Sequence, residues 1–237
     1  LLYRNEGDGT FRDVSFEAGL HEAFGYGLGV VAGDFDADGR TDIFVANDGS
    51  KNQLWLNRGD GTFADEALLR GCALDESGVA KAGMGVDAID VDDNTTLDLL
   101  VVNLREETNS FFRNEGTYFV DATATFGLAT GSDLLTRFGV GFIDFDNDGR
   151  VDLHALPGGV FRQRAAGPFE ETGLLGFPGG DARLGTWADL DNDGDMDLLV
   201  AAGRLQIVAS GGGRGRLREV SVGGGDRGGG RGGGGGG

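Results

Sequence analysis

The sequence predicts an all-β fold: a β-propeller of four-stranded antiparallel blades, with one acidic loop in each blade. Three observations predict it. An Asp-x-Asp-x-Asp/Asn turn closed by an aspartate at its ninth position recurs four times, starting at Asp34, Asp90, Asp144 and Asp189. Each copy lies between two β-rich runs, and each pair of runs is followed by a hairpin signal. The repeat length, roughly 45–55 residues, is that of stacked blades or coils.

The strands can be read in order. A Gly-rich first strand precedes each loop: Tyr26–Val31, Ala82–Asp87, Phe138–Ile143 and Leu184–Ala188. An apolar second strand follows it: Ile43–Ala46, Leu99–Val102, Leu153–Leu156 and Leu198–Ala201. A hairpin then supplies the third and fourth strands, at Leu54–Phe63 and Phe111–Phe119, with degenerate versions at 160–169 and 205–220. Its Asn, Asp and Gly residues tolerate the positive φ of tight turns. These units give predicted blades at 24–66, 82–122, 137–171 and 183–222. The hairpin at 1–16 has the third-and-fourth-strand pattern but no acidic loop before it, so it reads as the outer half of a further blade. Closed propellers carry about four to eight blades. Of two readings, a piece of a larger, roughly seven-bladed propeller is preferred over orphan strands completing a blade elsewhere. The linkers Ala64–Ala80 and Ala122–Thr136 are longer than simple turns and are expected to hold a helical turn or loop excursions on one face. Residues 223–237 are nearly all glycine and form an expected flexible tail.

The loops have the chemistry of a hard-cation site. Ca²⁺ takes six to eight oxygens at about 2.3–2.6 Å. Carboxylates at positions one, three and five converge when the chain curls round an ion. Position seven offers a backbone carbonyl, and position nine closes the site. The expected ligands are Asp34, Asp36, Asp38, the Arg40 carbonyl and Asp42 in the first loop, and Asp90, Asp92, Asn94, the Thr96 carbonyl and Asp98 in the second. In the third they are Asp144, Asp146, Asp148, the Arg150 carbonyl and Asp152. In the fourth they are Asp189, Asp191, Asp193, the Asp195 carbonyl and Asp197. Up to four Ca²⁺ are expected. The 90–98 loop is expected to be the weakest site, because Asn94 replaces a carboxylate and Thr95 replaces the glycine of the left-handed sixth position. The apolar second residues, Phe35, Val91, Phe145 and Leu190, read as anchors into the core. Position twelve is Val45, Val101, Ala155 and Val200 rather than glutamate, and the flanks are β-rich, which excludes EF-hands.

The formal net charge of −19 belongs largely to these loops and argues against a nucleic-acid partner. The one cysteine, Cys72, leaves no internal disulfide, and no apolar run is long enough to span a membrane. The sequence opens on Leu1-Leu2-Tyr3, which reads as a mature form or a fragment. No Ser/His/Asp arrangement or zinc spacing is evident. His154 and Cys72 read as core residues and His21 as an exposed linker residue. Trp55 and Trp187 read as core, against a sugar-binding alternative. Arg58-Gly59-Asp60 repeats the Glu6-Gly7-Asp8 turn and reads as a turn rather than an adhesion tripeptide. Asn94-Thr95-Thr96 is formally a glycan acceptor, but it overlaps the second loop.

The Phe138-Gly139 step before Asp144-Phe-Asp-Asn-Asp-Gly149, with the other loops and hairpins, resembles the FG-GAP/VCBS repeat family. The segment Leu2–Val14 with Glu17-Ala-Gly-Leu20 is more narrowly similar to its ASPIC/UnbV, cartilage-acidic-protein-like branch. The resemblance covers about residues 1–220 and departs from the family pattern in the last two hairpins. It implies a calcium-binding propeller in an extracellular or cell-surface setting. It also implies a non-catalytic binding, adhesion or structural module that takes a protein or glycan ligand through loops on one face. Two other readings compete: a self-associating subunit of an extracellular filament or surface array, and a propeller-type polysaccharide lyase or hydrolase.

Overall fold

The computed structural model describes residues 1–129, 135–165, 167–172, 184–202, 204–210 and 217–220. The expected tail, 223–237, lies outside the described residues. A hairpin of β1 (Tyr3–Asn5) and β2 (Phe11–Asp13) comes first. Four antiparallel sheets follow, each with its strands in sequence order. Sheet 1 holds β3 (Gly27–Gly33), β4 (Asp42–Asn47), β5 (Gln53–Asn57) and β6 (Phe63–Asp65). Sheet 2 holds β7 (Gly83–Ile89), β8 (Asp98–Asn103), β9 (Ser110–Asn114) and β10 (Phe119–Asp121). Sheet 3 holds β11 (Gly139–Ile143), β12 (Asp152–Leu156), β13 (Gly159–Gln163) and β14 (Phe169–Glu171). Sheet 4 holds β15 (Leu184–Ala188), β16 (Asp197–Ala202), β17 (Arg204–Ser210) and β18 (Leu217–Val220). A one-turn helix, α1 (Ala67–Arg70), lies in the linker after β6.

The sheets stack through their first strands: β3 packs on β7, β7 on β11, and β11 on β15. This is the blade arrangement the repeat predicted. The core lies between the sheets. Phe35, Phe44, Ala46 and Leu54 of sheet 1 meet Leu99, Val101, Phe112 and Phe119 of sheet 2. Leu100, Val102 and Phe111 on the opposite face of sheet 2 meet Leu153, Ala155 and Phe161 of sheet 3. Phe145, Leu156 and Val160 then meet Leu198 and Val200. Strand β8 is buried on both faces, so its sequence is a continuous apolar run rather than an alternation.

The first strands carry glycine where neighbouring sheets come closest. A Cβ built on Gly85 would lie 2.2 Å from the Phe138 carbonyl oxygen, a backbone atom that cannot swing aside. Gly85→Ala is therefore expected to destabilise the protein by about 1–3 kcal/mol, the usual cost of forcing atoms into a packed core. Urea unfolding would measure it, and an unchanged midpoint would mean that sheets 2 and 3 do not pack this closely.

Candidate metal centres

Each loop joins the first and second strands of its sheet. In each one, carboxylate oxygens from positions one, three and nine come within 4.8 Å of one another: Asp34, Asp36 and Asp42; Asp90, Asp92 and Asp98; Asp144, Asp146 and Asp152; Asp189, Asp191 and Asp197. The local folding is driven by the aspartates themselves. Asp34 accepts the Asp38 N–H through Oδ1 (3.1 Å) and the Gly39 N–H through Oδ2 (2.8 Å), which curls the chain back on itself. Asp144 does the same with Asp148 and Gly149 (3.0 and 2.8 Å). Asp90 accepts from Asn94 and Thr95 (3.0 and 2.7 Å).

The ninth aspartate is a buried pin. Asp42 Oδ2 accepts the Phe35 N–H (2.9 Å), and its Oδ1 accepts the Asn57 N–H from β5 (2.8 Å). Asp98 joins Val91 to Asn114 in the same way, and Asp152 joins Phe145 to Gln163. All three are fully buried. Burial raises their carboxyl pKa values although the backbone donors oppose it: Asp98 reaches about 6 and Asp152 about 7, with the neighbouring loop aspartates adding to the rise.

The third position is the one aimed inward without a partner. Asp36 Oδ1 and Asp146 Oδ1 are buried and accept no hydrogen bond. The second oxygen of each is held by an arginine. Arg162 reaches Asp146 Oδ2 at 2.7 Å while lying over the Phe145 ring, and Arg70 of α1 lies 3.5 Å from Asp36 Oδ2. Burial, followed by repulsion from the other loop carboxylates, raises the pKa of Asp36; at Asp146 the nearby Arg162 partly offsets the same rise. Two like charges 4.8 Å apart repel by on the order of 3 kcal/mol at an effective dielectric of 20. An unpartnered oxygen within a cage of carboxylates is what a hard cation with oxygen ligands fits.

The fifth position is oriented differently. Asp38 Oδ1 accepts the Arg40 N–H (2.9 Å), and its other oxygen pairs with the Arg40 guanidinium; Asp148 and Arg150 repeat the arrangement. The sixth position is left-handed in all four loops: Gly39, Thr95, Gly149 and Gly194 have φ of 84°, 73°, 84° and 93°. The fourth position is left-handed too, at Ala37, Asp93, Asn147 and Asn192, which the motif alone did not reveal. Among the second-position residues, Phe35, Val91 and Phe145 are buried as expected. Leu190 is 46% exposed, because no further sheet covers that face of sheet 4 among the described residues.

One buried amide ties each of the first two loops to the next sheet. Asn114 Nδ2 donates to the Phe35 carbonyl of the preceding loop (2.9 Å), and Gln163 Nε2 donates to the Val91 carbonyl (2.9 Å). Arg70 likewise reaches from α1 to the Thr117 carbonyl of sheet 2 (3.2 Å). These contacts link residues far apart in sequence, so only the homologous placement of Asn57, Asn114 and Gln163 could have signalled them.

Elsewhere, Trp55 is buried, and Trp187 donates its indole N–H to His154 Nδ1 (2.8 Å). His154 is buried, and desolvation lowers its pKa to about 4. Cys72 is buried and its thiol pKa is pushed up by the same cause. His21 is exposed and stacks on Phe16. Asp60 accepts from the Thr62 N–H and hydroxyl (2.9 and 2.6 Å), the same turn that Asp8 makes with Thr10.

Stacked four-stranded sheets with an aspartate cage at the first turn of each define a class of repeat β-proteins built round acidic loops. The FG-GAP-like repeat model matches residues 1–45 and 34–101, and over that part the chain resembles the FG-GAP repeat family. It is 27% identical over 170 residues to cartilage acidic protein 1 of Xenopus tropicalis, a match covering 65% of this chain and 24% of that protein. It is also 27% identical over 166 residues to the Homo sapiens protein of the same name, covering 65% of this chain and 23% of that one. The chain thus spans about a quarter of the length of the curated relatives it matches. A solved structure of the Vibrio cholerae (V. cholerae) biofilm matrix protein Bap1 aligns with a TM-score of 0.47 and 15% identity, over 76% of this chain and 26% of that one.

Thr95 holds the left-handed sixth position with a β-branched side chain, at a strain on the order of 1 kcal/mol. Thr95→Gly keeps the N–H that bonds Asp90 and removes the strain. It is expected to raise stability by about 0.5–1 kcal/mol, less any gain in unfolded-state freedom. Thermal unfolding of the two proteins side by side would check this.

Proposed function

We propose that the chain is a calcium-stabilised, non-catalytic module of an extracellular protein, serving adhesion, ligand binding or structure. The observation that carries the reading is the third-position oxygen of Asp36 and Asp146, buried and unpartnered within a cage of carboxylates. Calcium would be held by the first, third and ninth positions of each loop. The fifth-position side chains and seventh-position carbonyls would complete its oxygen shell. The bound ion would neutralise the mutual repulsion of the carboxylates and stiffen the turn between the first two strands. Extracellular modules bind calcium at about 10⁻⁴–10⁻³ M, so such sites fill outside cells. The name of the relatives, cartilage acidic protein 1, agrees with that setting and with this chain's acidity.

Cys72 and His154 are sealed in the core, and the exposed His21 stacks on Phe16, which favours a binding role over hydrolysis. The ligand surface we assign to loops on one face. The linker after sheet 1, the β8–β9 turn and the end of β10 form an open groove of about 480 Å³, lined by Asp75, Glu76, Glu106, Glu107 and Asp121 with Lys81. Its acidic side chains suit a basic protein segment and disfavour nucleic acid.

Calcium titration by calorimetry should give a stoichiometry approaching four, with the weakest site assigned by loss of one step in an Asp90→Asn variant. Melting in calcium should exceed melting in EDTA by several degrees, as mass action requires. Equal curves in EDTA and in millimolar calcium would overturn the reading.

The pH dependence has a worked sign. Asp98 and Asp152 have raised pKa values in the ion-free fold, so that fold holds protons the unfolded chain releases. Ion-free stability should therefore rise as pH falls from about 7 towards 4. With calcium the ligands stay ionised in the fold, so stability should be nearly flat down to about pH 5 and fall only as the unfolded carboxyls take up protons near pH 4. Melting curves from pH 8 to 4 would show a rise in EDTA, and a plateau followed by a fall in calcium.

A further inference from the structure

In the first and third loops, arginines already neutralise part of the carboxylate cage. Arg162 Nη2 lies 2.7 Å from Asp146 Oδ2, and Arg70 Nη2 lies 3.5 Å from Asp36 Oδ2. Asp38 and Asp148 pair in turn with Arg40 and Arg150, whose Nε groups donate to the Asn57 and Gln163 carbonyls (2.8 and 3.2 Å). The carboxylates of these loops thus divide by position. Backbone N–H groups hold the first and ninth, and guanidinium groups hold the third and fifth. A guanidinium does not lose its proton in a protein, so these charges stay whatever enters the cage.

The guanidinium groups at the third position come from different elements. Arg162 lies on β13, immediately before Gln163; the matching residue of β5, immediately before Asn57, is Leu56, which is buried in the core of sheets 1 and 2. Arg70 reaches the equivalent carboxylate oxygen from α1 instead, braced by Glu66 (3.1 Å) and the Thr117 carbonyl (3.2 Å). Arg162 is braced by the Phe145 ring, whose centroid is 5.4 Å from its guanidinium carbon. In the second loop Arg113, the residue of β9 that does match Arg162, stays 4.0 Å from Asp92 Oδ2 and pairs with Glu115. Two unrelated elements place a guanidinium on the same oxygen while the other oxygen stays buried and unpartnered, so the ion pair itself is what the two loops share.

Such a pair has two opposed effects on an entering divalent ion. Holding Oδ2 leaves Oδ1 free for the cage, which pre-organises a ligand. The fixed positive charge also repels the ion. The Asp146 side chain is only 8% exposed, so solvent screens that charge poorly, and repulsion of a doubly charged ion a few ångströms away outweighs the freezing of one carboxylate. We propose that Arg162 and Arg70 are built-in counter-cations of the third and first loops: they hold the carboxylates together without a metal ion and oppose its entry. These two sites therefore bind a divalent cation more weakly than their ligand sets alone would give. The inference rests on the calcium reading above and adds to it the residues that set the affinity.

The test compares the full chain with Arg162→Gln and Arg162→Lys, by calcium calorimetry and by melting in EDTA and in millimolar calcium. Asp146→Asn identifies the calorimetric step that belongs to the third loop. In EDTA, Arg162→Gln should melt several degrees lower, because Asp146 stays buried and loses its opposing charge. In calcium its third-loop step should tighten about tenfold, since affinity follows the charge of the site. Arg162→Lys keeps the charge and should leave that step close to its original position, whereas a purely structural role would make both variants bind more weakly. Arg70→Gln should tighten a different step in the same way, so the test survives if one variant does not fold in EDTA. An unchanged melt in EDTA, or a third-loop step that weakens or stays put in Arg162→Gln, would defeat the proposal and leave the calcium reading standing. Absence of a calcium response in the parent chain and in both glutamine variants would sink the calcium reading, and the competition with it.

Discussion

The buried aspartate at the ninth position of each loop, seen most completely in Asp42, Asp98 and Asp152, joins three things that could otherwise move independently. One oxygen holds the amide of the loop's second residue, the other holds an amide at the end of the third strand, and the carboxylate also borders the cage. A buried carboxylate costs several kcal/mol unless it is paired or bonded. Two backbone donors offset part of that cost, and the raised pKa values of Asp98 and Asp152 show the direction of what remains. A cation beside the cage would offset that remainder by its attraction for the carboxylates, in competition with the proton.

The pin also explains why the loops influence the stacking of sheets. It fixes the second residue, whose side chain enters the next core and whose carbonyl receives the next sheet's amide. Phe35 does both: its ring lies in the core shared by sheets 1 and 2, and its carbonyl accepts from Asn114. Val91 does both for sheets 2 and 3. Loosening one loop therefore weakens one interface directly and others only through it. That is the nearest-neighbour behaviour of repeat proteins, in which stability is a sum over units and the contacts between them.

Much of this was legible in the sequence because it is local and recurs. The loops, the strand runs and the Asn-x-Gly-Asp-Gly turns depend on residues within about ten positions of each other, and repetition separates signal from chance. The helical turn in the 64–80 linker was expected, and α1 lies there. The missed features lie in hydrogen bonds within the loops and in contacts between sheets. Ala37 and Asn147 carry no glycine signal at the left-handed fourth position, because the hydrogen bonds from Asp38 to Asp34 and from Asp148 to Asp144 enforce it. Arg70 looks like an ordinary helix-end arginine until sheet stacking brings it to Asp36 and Thr117. Asp38 reads as a ligand by position, yet Arg40 at the seventh position competes for its carboxylate.

Leu190 and Leu28 make the same point from the two ends of the array. Each is apolar because the repeat places an interface there, and each is exposed because exposure depends on the adjoining sheet rather than on the residue. Scattered exposed apolar side chains are ordinary on protein surfaces. Leu28 and Val30 differ because the internal repeat shows what the same positions do when covered. Their counterparts in sheets 2 and 3 contribute to continuous cores, and the cost of leaving such side chains in water is about 1.5–3 kcal/mol each. An array of repeated interfaces thus shows which of its apolar positions are exposed among the described residues.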